Sequence, residues 1–188
     1  MRIISGAYRG KKLYSPESNQ VRPTADRTRE ALFNILNSML ENSWSKYKLL
    51  DVFAGTGAVS LEAISRGVAE ATLIDKDTKS LQKNLALFVP EKSRLKVLHL
   101  DIKNLPVAPQ RYNLLFMDAP YNQGLTTVAL EQVAAKYWLE EQALCIVEVE
   151  KNEQPAIPAC YQYQNERIYG LAKIIFLKYM PSITAEEE

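Results

Sequence analysis

The sequence has 188 residues, of which 47% are hydrophobic and 24% are charged, and its formal net charge is +1. This composition is typical of a globular chain with one sizeable core, and it excludes general disorder. No apolar run approaches the roughly 20 residues of a membrane-spanning helix, and the first residues lack the apolar centre of a signal peptide. His99 is the only histidine, and neither it nor Cys145 and Cys160 has metal-ligand spacing to other residues. A zinc site and a histidine-based catalytic triad are therefore not expected.

The N-terminal end is locally basic. Residues 1–30 carry seven basic and three acidic side chains, a net charge of +4 on an otherwise near-neutral chain. This asymmetry predicts a surface for a polyanion, although a solvated face without a partner remains the alternative. Within this end, residues 2–14 predict a small β-ribbon with turns near Gly6 and Gly10, and a loop follows over 16–23. We expect three parts: a basic ribbon and loop over 1–23, one domain over 24–181, and an acidic tail over 182–188.

A helix and then an alternation of strands and helices follow the ribbon. Thr24 is a plausible N-cap, and apolar residues then recur at helical spacing up to Leu40. Strands are predicted at 49–53, 71–75, 95–100, 113–118 and 144–149, and helices at 59–66, 78–88 and 126–136. The segments 161–168 and 172–179 predict an antiparallel hairpin around Tyr169-Gly170. This order predicts an α/β fold with a doubly wound, mostly parallel, Rossmann-like sheet.

The first strand runs into a glycine-containing turn, Asp51-Val52-Phe53-Ala54-Gly55-Thr56-Gly57, at the sheet edge where α/β proteins bind ligands. Dinucleotide-binding dehydrogenases share this pattern, so the turn alone leaves the ligand open. Asp51 favours a cationic ligand, because a carboxylate attracts an ammonium or sulfonium group and repels a pyrophosphate. Asp75 and Asp101 follow at the next two strand ends, where they could accept hydrogen bonds from a ribose and an adenine amino group. Three carboxylates therefore favour S-adenosylmethionine as the cofactor.

The fourth strand ends in Asp118-Ala119-Pro120-Tyr121, which resembles the Asn/Asp-Pro-Pro-Tyr/Phe signature of methyltransferases that modify amino groups of nucleic-acid bases. An exocyclic amine is a poor nucleophile, because its lone pair is delocalised into the ring. Asp118 and the carbonyl of Ala119 could accept its hydrogens, and Tyr121 could stack on the base. Ala119 replaces the first proline of the signature, so the turn loses some rigidity but keeps the carbonyl.

The N-terminal motifs make the resemblance more specific. The sequence is similar to the RsmD family in Arg2-Ile3-Ile4-Ser5-Gly6, in Arg22-Pro23-Thr24 and the helix start that follows, and in the run from Leu50 to Gly57. The resemblance covers nearly the whole chain. It implies a seven-stranded class I methyltransferase fold, and methylation by S-adenosylmethionine of the N2 atom of one guanine in small-subunit (16S) ribosomal RNA.

The resemblance and the strand ends together give three groups of candidate site residues. We expect catalysis from Asp118, Ala119, Pro120 and Tyr121. The candidate cofactor-binding residues are Asp51, Phe53, Gly55, Gly57, Asp75, Lys76, Asp101 and Ile102. The candidate RNA-binding residues are Arg2, Arg9, Lys11, Arg22 and Arg27. We further expect a cytoplasmic monomer that needs no metal or membrane and acts on the small ribosomal subunit or its assembly intermediate.

Three alternatives differ in what they do with this fold. An enzyme acting on adenine N6 or cytosine N4 would keep the signature but not the N-terminal motifs. A non-catalytic RNA-binding or assembly factor would explain Ala119 but not three cofactor carboxylates. A nicotinamide-dependent oxidoreductase is disfavoured by Asp51.

Overall fold

The computed structural model describes residues 1–15 and 23–181. Within them, helices and strands alternate from the first strand to the fifth. The helices are α1 (Pro23–Met39), α2 (Ala58–Arg66), α3 (Lys79–Leu85) and α4 (Leu125–Ala135), with short 3₁₀ helices at Trp44–Lys46, Val89–Arg94 and Ile102–Asn104. The strands are β1 (Lys48–Val52), β2 (Glu70–Asp75), β3 (Leu95–His99), β4 (Tyr112–Asp118), β5 (Leu139–Glu150), β6 (Tyr161–Tyr169) and β7 (Ala172–Tyr179).

The seven strands form one sheet in the order β3-β2-β1-β4-β5-β7-β6. β1 pairs with β2, β2 with β3, and β4 with β5, all in parallel. β7 is antiparallel to both β5 and β6. The tight turn after Tyr169 joins β6 directly to β7, as an antiparallel pair allows. The predicted mostly parallel α/β sheet with an antiparallel C-terminal hairpin is confirmed.

The chain divides into two compact units, Met1–Ile102 and Lys103–Glu188. This division lies after β3 and does not test the predicted parts 1–23, 24–181 and 182–188. Those parts stay a prediction. The predicted loop at 16–22, with Arg22, and the tail at 182–188 lie outside the described residues.

In the first unit, β1 and β2 are buried along most of their length, and α2 covers them with a face that includes Leu61 and Ile64. The apolar runs in the two strands explain this burial, since a parallel strand covered on both faces has no polar side. α2 ends at Arg66, as predicted, and Gly67 caps its C-terminal end. The φ of +103° at Gly67 lets its N–H bond back to the carbonyls of Ala63 and Ile64.

The N-terminal ribbon (residues 1–14) is a hairpin fixed to α2. The Ile3 N–H donates to the Lys11 carbonyl, and the Gly10 N–H donates to the Ile3 carbonyl, each over 2.9 Å. One β-bridge pairs Arg2 with Lys12. Ile3 and Leu13 are buried against α2 residues and Phe88. The predicted ribbon is therefore present, with apolar residues that hold it on the first unit.

In the second unit, the strands follow the order β4-β5-β7-β6. α4 packs with its buried residues Ala129, Leu130 and Val133, and the Tyr161 hydroxyl donates to the Leu130 carbonyl over 2.8 Å. No helix in the described part of the chain is long and apolar enough to cross a membrane.

Three element boundaries differ from prediction by more than one residue. The predicted helix at 78–88 ends at Leu85, and a 3₁₀ helix containing Pro90 follows, because a proline cannot donate an N–H and its ring would meet the carbonyl four residues earlier. α1 begins at Pro23, so Thr24 lies inside the helix and does not precede it. β5 starts at Leu139, earlier than predicted, and its register with β4 shifts between Tyr112 and Leu114.

Candidate active site

The glycine turn after β1 is built from residues with left-handed backbone. Phe53, Gly55 and Gly57 have φ values of +63°, +57° and +75°. Gly57 is required on packing grounds as well, because a Cβ there would lie 2.5 Å from Leu81 Cδ1 of α3. Phe53 is the exception to the preference of this region for glycine, and such strain is common at ligand sites.

Gly55 differs from Gly57 in its surroundings. A Cβ on Gly55 would meet no atom closer than the Phe53 carbonyl oxygen at 3.9 Å, and the residue is exposed. Its lack of a side chain therefore leaves the backbone open to close approach by a ligand.

Asp51 lies beneath this turn and is 1% exposed. The Ser60 hydroxyl of α2 donates to Asp51 Oδ2 over 2.6 Å. Burial raises the pKa of Asp51 to about 7, the hydrogen bonds from Ser60 oppose the rise, and the charge of Asp75 adds to it. A positive group bound near Asp51 would therefore favour the ionised form of its carboxyl.

Asp75, at the end of β2, holds the turn from the other side. Its Oδ2 accepts the Gly55 N–H over 2.7 Å, and its Oδ1 accepts the Asp77 N–H over 2.8 Å. Each carboxylate oxygen has a second acceptor site, so these bonds leave capacity for a hydroxyl.

The remaining candidate cofactor residues lie along the ends of β2 and β3. Asp75 and His99 are register partners, so Asp101 follows β3 near the end of β2. Asp101 and Lys76 are exposed, whereas Ile102 is buried. The His99 ring is 2.8 Å from the Lys76 carbonyl oxygen, which joins the two strand ends. The first unit therefore brings the predicted cofactor residues to one edge of its sheet.

The second unit carries the candidate catalytic tetrapeptide at the end of β4. Asp118 is exposed, Ala119 is buried, and Tyr121 is 38% exposed. The Tyr121 hydroxyl donates to Glu148 Oε1 over 3.2 Å. Glu148 is also the register partner of Asp118, so two carboxylate-bearing positions lie side by side on β4 and β5.

The titration of these groups reflects burial and mutual repulsion. Burial raises the pKa of Tyr121 well above its usual range, and the charges of Glu148 and Asp118 raise it further. Burial also raises the pKa of Glu148, while the hydrogen bond from Tyr121 lowers it. Tyr121 therefore stays a neutral donor at physiological pH.

The predicted RNA-binding residues are placed unevenly. Arg2 and Arg9 on the ribbon and Arg27 on α1 are exposed. Lys11 is half-buried, with its Nζ 4.8 Å from the centre of the Phe88 ring, so part of its charge already faces an aromatic surface. Arg22 lies outside the described residues.

Three residues that contact the candidate site were not among the predicted ones. Ser60 is fully buried. It stands at the third glycine position of the Gly-x-Gly-x-x-Gly pattern that begins with Gly55 and Gly57, and this departure from glycine was the available signal in the sequence. Glu148 lies within β5, and its link to Asp118 depends on a strand register that the sequence does not give. Asn84, on α3, donates to the Thr56 carbonyl of the glycine turn over 2.9 Å, and the sequence gives no signal for it.

Together, the strand order and the glycine turn define the class I methyltransferase fold. TrmN from Thermus thermophilus has this fold: its solved structure superposes with a TM-score of 0.67 at 20% identity, covering 84% of this chain and 51% of TrmN. The solved structure of the Escherichia coli protein yhhF superposes with a TM-score of 0.81 at 31% identity, covering 96% of this chain and 98% of that one.

The family follows from sequence comparison. The chain belongs to the family described as Conserved hypothetical protein 95, whose profile matches residues 1–178. It is 38% identical to the ribosomal RNA small subunit methyltransferase D of Escherichia coli K12, over 90% of this chain and 85% of that protein. It is 32% identical to the protein of the same name from Haemophilus influenzae, over 91% and 90% of the two chains.

Proposed function

We propose that this protein transfers a methyl group from S-adenosylmethionine to the exocyclic N2 atom of one guanine in small-subunit ribosomal RNA. The observation that carries the proposal is the open glycine turn at Gly55, set between the carboxylates of Asp51 and Asp75. Family membership and the names of the relatives support the same reaction and the same class of RNA.

The first unit has the groups that S-adenosylmethionine requires. When bound, this cofactor supplies a methyl group on a positively charged sulfur, which makes the methyl electrophilic. Gly55 offers open backbone, Asp51 a buried negative charge for the ammonium end, and Asp75 spare acceptor sites for ribose hydroxyls. Asp101 would accept from the adenine amino group. Phe53, Gly57, Lys76 and Ile102 would complete the pocket.

The second unit supplies the acceptors for the target amine. Asp118 and the Ala119 carbonyl would accept the two N2 hydrogens, which keeps the nitrogen lone pair directed at the methyl carbon. The N–C bond forms as the C–S bond breaks, and one N2 proton then leaves to Asp118 or to water. Pro120 biases Ala119 towards an extended backbone, and the half-exposed ring of Tyr121 would stack on the base.

The pair of carboxylates on β4 and β5 favours guanine. Guanine presents two neighbouring donors, N1–H and N2–H, on its Watson–Crick edge. Asp118 and its register partner Glu148 are both acceptors when ionised, so together they match these donors. Adenine presents an acceptor at N1, which a carboxylate at Glu148 would repel. The same pair of carboxylates disfavours methylation at adenine N6.

The RNA backbone would be held by the basic ribbon and the start of α1. Arg2, Arg9 and Arg27 are exposed and could contact phosphates. Lys11 would contribute less, because its ammonium group already contacts the Phe88 ring. We further propose that the substrate is the small ribosomal subunit or its assembly intermediate, and that the protein acts as a cytoplasmic monomer. Among the described residues, no group of three or more His, Cys, Asp or Glu could hold a metal ion.

The direct test is transfer of labelled methyl from S-adenosylmethionine to small subunits isolated from cells that lack this protein. The wild type should label the RNA, and Asp118→Ala should lose at least about 100-fold in rate while its affinity for S-adenosylhomocysteine stays unchanged. Glu141→Ala, which removes an exposed carboxylate elsewhere on β5, is the matched control and should keep full activity. Cofactor binding without labelling by the wild type would favour a non-catalytic assembly factor instead.

A further inference from the structure

Asn84 is a buried side-chain amide with three hydrogen bonds. It lies on α3 and is fully buried. Its Oδ1 accepts the Tyr14 N–H over 2.7 Å, and its Nδ2 donates to the carbonyls of Tyr14 over 3.1 Å and of Thr56 over 2.9 Å. A buried amide group without partners is unfavourable, so these three bonds stabilise one joint arrangement of the backbone around it.

The two segments that Asn84 joins have different proposed ligands. Tyr14 is the last residue of the basic ribbon, which carries Arg2 and Arg9. Thr56 lies between Gly55 and Gly57 in the turn proposed to bind the cofactor. The amide therefore makes a direct contact with the backbone of both the proposed RNA surface and the proposed cofactor turn.

Other contacts of the ribbon are different in kind. Glu62 of α2 accepts the N–H groups of Ile4 and Ser5 over 2.7 and 3.0 Å, and the Ser65 hydroxyl accepts the Tyr8 N–H over 2.9 Å. These bonds fix the ribbon on the helix and do not reach the Thr56 carbonyl. They hold the ribbon in place without contacting the glycine turn, so they serve as a control for the bonds of Asn84.

We infer that Asn84 is a positioning residue that couples RNA binding by the ribbon to cofactor binding by the glycine turn; this inference rests on the proposed function. Cofactor contacts would fix the turn around Thr56, and the shared amide would then fix the end of the ribbon at Tyr14. RNA would meet a ribbon that is already ordered. Because coupling between two ligands is reciprocal, bound RNA must tighten cofactor binding by the same factor.

The test compares the affinity for a target RNA fragment with and without saturating S-adenosylhomocysteine, which binds like the cofactor but cannot react. In the wild type we expect the added S-adenosylhomocysteine to tighten RNA binding about 5-fold or more. Asn84→Asp is isosteric, keeps the acceptor for the Tyr14 N–H and removes both donated bonds. It should reduce this factor to about 1 while each ligand still binds alone. Ser65→Ala should weaken RNA binding equally in both conditions and keep the factor.

A wild-type factor near 1, or an unchanged factor in Asn84→Asp, would overturn the inference and leave the proposed function standing. Lack of any binding of S-adenosylhomocysteine would instead overturn the proposed function, and the inference with it.

Hydrogen exchange on the wild type tests the coupling without a variant that could fail to fold. Added S-adenosylhomocysteine should slow exchange of the Tyr14 amide, which donates to Asn84. It should leave unchanged the Ala7 amide, which donates to the Ser65 carbonyl over 2.8 Å. Equal effects on both amides, or none on Tyr14, would contradict the role of Asn84.

Discussion

Replacing Asp51 by asparagine should stabilise the cofactor-free protein at high pH while impairing its function. The carboxyl is 1% exposed, and its pKa is raised from 3.8 to about 7, chiefly by burial. Between these two values the folded chain holds the Asp51 proton more tightly than the unfolded chain does. The wild type therefore loses stability as pH rises from about 4 to about 7, and above that range the loss is complete.

The size of this effect follows from the two pKa values. At about 1.4 kcal/mol for each pKa unit, ionising the buried carboxyl lowers the free energy of unfolding by up to about 4 kcal/mol. About 3 kcal/mol of this develops between pH 5 and pH 8. Asparagine cannot ionise, and its carbonyl can still accept the Ser60 hydroxyl. Any fixed difference in packing between Asp51→Asn and the wild type does not depend on pH.

Urea unfolding without cofactor, at pH 5 and at pH 8, measures the effect. The stability of Asp51→Asn relative to the wild type should rise by about 3 kcal/mol between the two conditions, and its affinity for S-adenosylhomocysteine at pH 8 should fall by at least about 10-fold. A pH-independent difference for Asp51→Asn would refute the assignment of a raised pKa to the buried carboxyl.

Ser60→Ala removes a hydrogen bond that lowers the pKa of the buried carboxyl, so the pH at which S-adenosylhomocysteine affinity reaches half its maximum should rise; an unchanged pH profile would count against the contact. Gly57→Ala should lower the free energy of unfolding by about 2–4 kcal/mol, because the added Cβ overpacks the core and the backbone there is left-handed. Gly55→Ala should lower it by only about 1 kcal/mol but should weaken binding of S-adenosylhomocysteine. Equal losses of stability in urea unfolding would contradict the difference in packing between the two glycines. Tyr121→Phe should raise KM for RNA a few-fold with kcat nearly unchanged, because the ring still stacks without its hydroxyl anchor, and Tyr121→Ala should lose about 10-fold or more in kcat/KM. Glu148→Gln should reduce the preference for guanine over 2,6-diaminopurine, a base that keeps the 2-amino group but accepts a hydrogen bond at N1. If the ratio of kcat/KM for the two bases is the same as in the wild type, Glu148 does not recognise the base.

The fold was predictable where local pattern determines the structure. The apolar residues Leu49, Leu50 and Val52 and the turn at Gly55 and Gly57 predict a buried strand followed by a helix, and β1 and α2 have that arrangement. The break at Tyr169-Gly170 predicts the hairpin of β6 and β7. The family and the fold class followed from the same motifs and are confirmed.

What sequence could not give depends on contacts between distant segments. The acidic character of Asp51 was visible, but its burial beneath Ser60 and the resulting rise in its pKa were not. The pairing of Glu148 with Asp118 depends on the register of β4 and β5, and that register shifts at a bulge. The bonds from Asn84 span 70 and 28 residues of sequence, so no local pattern contains them. The roles of the site residues stay predictions.

The central claim is that this chain methylates N2 of one guanine through Asp118. Nucleoside analysis of small-subunit ribosomal RNA should compare cells lacking the chain with cells that regain the wild type or Asp118→Ala. We expect one N2-methylguanosine to be missing from cells that lack the chain, to return with the wild type and not to return with Asp118→Ala. Loss of a methylated adenine or cytosine instead, or full recovery with Asp118→Ala, would contradict it.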